Sequence, residues 1–103
     1  MNLPLSTDVQ DHENNSDNIG MYSFYDTESE THDTPFFCQN DMMAKRHHKL
    51  VVTAPGTMME SFRKSFNLVR IGWFNTQTGA VYNQHQTLVH GKFFELPKTK
   101  EKN

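Results

Sequence analysis

Leu68-Val69-Arg70-Ile71-Gly72-Trp73-Phe74-Asn75-Thr76-Gln77-Thr78-Gly79-Ala80-Val81-Tyr82-Asn83 reads as two strands joined by a short turn. Val69, Ile71, Trp73 and Phe74 are β-branched or aromatic and suit a pleated, half-buried surface. Asn75-Thr76-Gln77-Thr78-Gly79 is the turn, with Gly79 free to take a positive φ. Downstream, Thr87-Leu88-Val89-His90 and Lys92-Phe93-Phe94-Glu95-Leu96 are again strand-like, with Gly91 as the break.

Upstream the periodicity changes to helical. Thr57-Met58-Met59-Glu60 matches a capping box, in which the Thr hydroxyl and the Glu carboxylate satisfy each other's backbone N–H. A helix over residues 58–66 would place Met58, Met59, Phe62 and Phe66 on one apolar face. Phe62 is thus expected in the core, and Phe62→Ala is expected to cost about 3–5 kcal/mol. Before it, Asn40 or Asp41 can cap a helix over residues 42–52, and Thr53-Ala54-Pro55-Gly56 breaks it. Met21-Tyr22-Ser23-Phe24-Tyr25-Asp26 reads as the first strand, with Tyr22 and Phe24 on one face. Thr34-Pro35-Phe36-Phe37-Cys38 is a second extended piece, and Pro35 suits an edge. The order β-β-α-α-β-β predicts a small α+β domain: an antiparallel sheet with one or two helices packed on one face.

Charge divides the chain. Residues 1–33 hold eight acids and no Lys or Arg, whereas residues 34–103 hold ten bases and four acids. The formal charge of -2 therefore averages a basic body and an acidic leader. A polyanion is a natural partner for such a body, and the leader could compete for the same surface. Residues 1–20 lack large apolar side chains in number and read as a disordered tail. The domain is assigned to residues 21–96, and the Lys-rich residues 97–103 to a frayed end. Deleting residues 1–19 is expected to leave the fold intact. The leader has neither a basic start nor an apolar run, so it is no signal peptide, and no stretch is long enough to span a membrane. One cysteine, Cys38, permits no internal disulfide and fits a reducing cytoplasm.

Candidate chemistry concentrates in the basic half. Lys45-Arg46-His47-His48-Lys49 is the leading contact site, because Lys and Arg pair with phosphates. Arg63, Lys64 and Arg70 could extend it, and Trp73, with Phe74 and Tyr82, could stack on unpaired bases. The metal-capable residues Cys38, His47, His48, His85 and His90 lack the spacing of a zinc site. Cys38 with His47 or His48 is nominally a nucleophile and a base, but Cys38 follows two Phe and is more simply a small buried residue. No glycine-rich phosphate loop and no paired carboxylates are present in a structured region. An enzyme, a metal and a cofactor are not expected.

Tyr22-Ser23-Phe24-Tyr25-Asp26, Thr34-Pro35-Phe36-Phe37 and the run from Phe66 through Ile71-Gly72-Trp73-Phe74-Asn75 to Thr78-Gly79 together carry a resemblance. Over roughly residues 21–82 the chain resembles the small nonstructural protein of gokushoviruses, tailless icosahedral phages with single-stranded DNA genomes. Trp73 and Asn75 stand where that family usually has an acidic residue and Asp, which removes negative charge from the hairpin. The resemblance implies a nonenzymatic protein of the host cytoplasm that assists viral DNA replication or packaging. It is likened to the protein that switches φX-type phages from duplex replication to single-strand synthesis. Single-stranded DNA is the implied partner, with viral replication or capsid-assembly proteins beside it and no membrane. The alternative is an interaction module that binds a viral or host protein without touching nucleic acid.

Overall fold

The computed structural model describes residues 12–96. It is a small α+β domain whose five-stranded antiparallel sheet is built around β1 (Asn18–Asp26) and β4 (Phe66–Asn75). β5 (Val81–Val89) pairs with β4 and forms one edge. The other edge is divided, since β3 (Phe36–Cys38) pairs with the first half of β1 and β2 (Thr31–His32) with its end. Between β3 and β4 run α1 (Asp41–Val52) and the single-turn α2 (Met58–Ser61).

α1 forms where its cap and stripe require it. The Asn40 side chain accepts from Met43 N at 2.9 Å, satisfying an orphan donor of the first turn. Ala44, His48 and Val52, at i, i+4 and i+8, are the buried stripe. Tyr22, Phe24, Ala44, Phe66 and Leu68 make the core, with Phe36, Val51, Met59, Leu88 and Val89 packed against it.

A bulge decides what faces α1. Tyr22 lies opposite Arg70 and Gly20 opposite Trp73, while Met21 lies opposite Gly72, so Ile71 is an extra residue in β4. Gly20 and Tyr22 share a face of β1, hence Arg70 and Trp73 share that face of β4. In a regular strand, residues three apart would point to opposite faces.

The second helix is shorter than its sequence pattern. Thr57 accepts from Glu60 N at 3.1 Å, the Thr half of the capping box. After one turn, Phe62 leaves the helix at φ -117 and ψ 32, and a 3-10 turn, Arg63–Ser65, leads into β4. The helical phase therefore does not carry Phe62 into the core: it is 60% exposed, whereas Phe66, already in β4, is 6% exposed. The large cost expected of Phe62→Ala is withdrawn on that ground.

The N-terminal boundary also moves. Strand β1 begins at Asn18, and Asn18 and Ile19 pair with Asn75 and Phe74. Asn18 is buried, its Oδ1 accepting from Asn75 Nδ2 at 2.8 Å while its Nδ2 donates to His12 O at 3.1 Å. Removal of residues 1–19 would strip this pairing, so the expected tolerance is corrected at its C-terminal end. Residues 1–11 and 97–103 lie outside the described residues.

Two expected strand pieces, residues 80–83 and 87–90, are one strand, and the expected strand at 92–96 is instead a 3-10 turn, Gly91–Phe93. The hairpin turn is as read: Gly79 sits at φ 79, and the Asn75 carbonyl accepts from Gly79 N at 2.8 Å. Gly79→Val is expected to cost about 1–3 kcal/mol through left-handed backbone strain alone, measured by urea unfolding.

Candidate nucleic-acid interface

The structure divides the residues expected to touch DNA. Trp73 is fully buried and Arg70 is 5% exposed. Arg70 pairs with Asp41 of α1, donates from Nε to Gln84 O at 3.0 Å and from Nη2 to Gln86 Oε1 at 2.9 Å. Its guanidinium lies 5.4 Å from the Trp73 ring centroid, and Trp73 Nε1 donates to Gln84 Oε1. Tyr22 completes the cluster by donating to Asp41 Oδ1 at 3.0 Å. Burial and the neighbouring Asp41 carboxylate push the Tyr22 phenol well up. Both Arg70 and Trp73 are therefore interior groups, corrected from the proposed phosphate and base contacts. Phe74 is half-buried against Phe37, and Tyr82 is exposed with His12 stacked on its ring at 4.4 Å. Arg63 is half-buried and donates to Glu60 O at 3.1 Å.

The helix cluster remains exposed. At 3.6 residues per turn, Lys45, Lys49 and Arg46 fall within about 100° of arc, and all three are exposed. His47 occupies the opposite flank, its ring 4.9 Å from Phe36 of β3. The lysines therefore project on the side of α1 away from β3.

A second basic group was not legible as one. Gly91 lies on the backbone of the 3-10 turn before β4; a Cβ there would stand 2.6 Å from Phe66 O and 2.9 Å from Lys64 O. Only glycine allows that approach, and it brings Lys92 beside Lys64. The two lysines, His90, Asn67 and Thr27 line a pocket of about 240 Å³. Phe93 next to it is 71% exposed, with Lys92 Nζ 5.1 Å from its ring centroid. Phe94 links this pocket to α1, with its ring 5.5 Å from His48 and its carbonyl accepting from Lys64 Nζ at 3.1 Å. Among the described residues the one ion pair is Arg70–Asp41, so Lys45, Arg46, Lys49, Lys64 and Lys92 have no carboxylate partner.

His48 is part of the support. It is 1% exposed, stacks on Phe24 at 5.8 Å and leaves Nε2 buried without a partner. Burial holds its imidazole below the usual histidine range, against the opposing hydrogen bond to the Phe66 backbone. The folded state thus binds this proton less readily than the unfolded chain. Its contribution is complete above the unfolded value of about 6.5 and is lost as pH falls below it. Wild-type protein should show a lower urea midpoint at pH 5 than at pH 7, and His48→Leu should shrink that difference. An equal drop in the variant would place the acid sensitivity elsewhere.

The family model described as Phage ORF5 protein matches residues 19–94. This chain belongs to the phage ORF5 protein family. No curated protein and no solved structure matches it. In this ORF5 family protein the matched span begins within β1 and ends at Phe94, the residue that joins the two basic groups. No helix among the described residues is long and apolar enough to cross a membrane.

Proposed function

We propose that this phage ORF5 protein is a nonenzymatic, nonstructural accessory of a gokushovirus-type microvirus. It acts in the host cytoplasm and binds the viral single-stranded DNA during replication or packaging. The observation that carries this reading is the pairing of an exposed ring, Phe93, with the Lys64–Lys92 pocket. An aromatic platform beside cations is the recipe for unpaired nucleic acid, because every base has a stacking face and every nucleotide a phosphate. Lys45, Arg46 and Lys49 extend the cationic surface along α1.

The base-stacking role proposed from sequence for Trp73 thus passes to Phe93. Phe93→Ala should weaken binding to a single-stranded oligonucleotide by about 1–3 kcal/mol with little change in salt dependence. Lys64→Ala with Lys92→Ala should lower the slope of log K against log salt by about 0.7 per contact removed. Fluorescence anisotropy over a salt series reads both. Unchanged affinity in both variants would remove this surface from the account.

A second reading rests on a different feature. Cys38, Gln39, Met43, Arg46, His47 and Leu50 line a groove of about 510 Å³ on the outer side of α1, and Leu50 is 71% exposed. An apolar groove of this kind suits a viral or host protein partner. Binding through it would survive added salt, which separates the two readings.

A further inference from the structure

The two edges of the sheet are built differently. The β2–β3 edge is cut into pieces of two and three residues, with Pro35 between them. Short strands and proline are standard means of blocking edge-to-edge pairing. The β5 edge has nine residues, no proline, no lysine and no acid, and no strand lies beyond it among the described residues. Such an edge is a template for another strand.

The sequence of β5 indicates which strand. Val81-Tyr82-Asn83-Gln84-His85-Gln86-Thr87-Leu88-Val89 is a chemical palindrome centred on His85. Valine stands at both ends, then a large apolar residue, then a short polar one, then Gln on each side of His. A two-fold interface is self-complementary, so residue i meets j and j meets i. Antiparallel pairing of β5 with itself would set Val81 against Val89, Tyr82 against Leu88, Asn83 against Thr87 and Gln84 against Gln86. His85 would face its own copy. Every cross-strand pair then matches in kind, the condition that favours pairing. Two bulges against β4, one at Leu88 and one at Gln84–His85, lie within these nine residues, which still run as a single strand from Val81 to Val89.

We infer that β5 is a homodimerisation edge, joining two copies of this chain into one continuous sheet about a two-fold axis at His85. The inference does not rest on nucleic-acid binding. Sedimentation velocity of the full chain over a concentration series should show a reversible dimer, and a monomer throughout would overturn it. Single-cysteine variants in a Cys38→Ser background then test the register. With His85→Cys, the two sulfurs are directly opposite and within disulfide reach, so mild oxidation should give a covalent dimer. With Asn83→Cys, the two copies are four residues out of line, about 14 Å, and should stay reduced. Equal cross-linking of both variants would contradict the two-fold at His85. His85→Glu places like charges face to face and should raise the dimer dissociation constant by up to about fivefold. Circular dichroism confirms that each exposed-site variant is folded, and an unchanged constant in folded His85→Glu would also overturn the proposal.

Discussion

Asp41→Ala is expected to destabilise the domain by about 3–5 kcal/mol, the usual effect of leaving one member of a buried ion pair alone. Arg70 would keep its bonds to Gln84 and Gln86 but lose the carboxylate that offsets its charge. Tyr22 would lose its acceptor as well. For a domain of this size that is a large part of the total stability. The companion variant Arg70→Met with Asp41→Leu should recover part of the loss, because it removes both charges and leaves apolar volume. Urea unfolding of Asp41→Leu, Arg70→Met and the double gives the coupling directly. Additive single effects would mean that the pair contributes no coupling energy.

Trp73→Ala should have an effect of similar size, about 3–5 kcal/mol, through the cavity it leaves. The ring is fully buried below the Arg70 guanidinium, on a residue paired across the sheet with Gly20 of β1. The same variant separates support from contact. The folded fraction of Trp73→Ala should bind single-stranded DNA as wild type does, since the ring is out of reach. A loss of affinity with no loss of stability would return Trp73 to the interface.

The hairpin, the α1 cap and the Tyr22–Phe24 face were legible because each has a local signal: Gly79 after a polar turn, Asn40 before a helix, alternation in a strand. What was missed depends on contacts distant in sequence. Trp73 and Arg70 look like site residues in a linear reading, and only the bulge at Ile71 turns both toward α1. Phe62 fits a helical stripe, but the chain leaves the helix at that residue to enter β4. Asn18 and Gly20 are poor strand formers, and the length of β4 draws them into pairing. Lys92 gave no sign of meeting Lys64, since they lie 28 positions apart and meet through the contact of Gly91 with the residue 63–66 backbone. The Lys45–Lys49 cluster was correctly placed on a helix, because consecutive charges on a capped helix need no tertiary information.

The most direct measurement for the functional account is the salt dependence of wild-type binding to a single-stranded oligonucleotide. Lys45, Arg46, Lys49, Lys64 and Lys92 are five cations without carboxylate partners among the described residues. If each neutralises one phosphate, the slope of log K against log salt should be about -3 to -4. A slope near zero, or no binding at low salt, would contradict nucleic-acid binding and leave the α1 groove as the working surface.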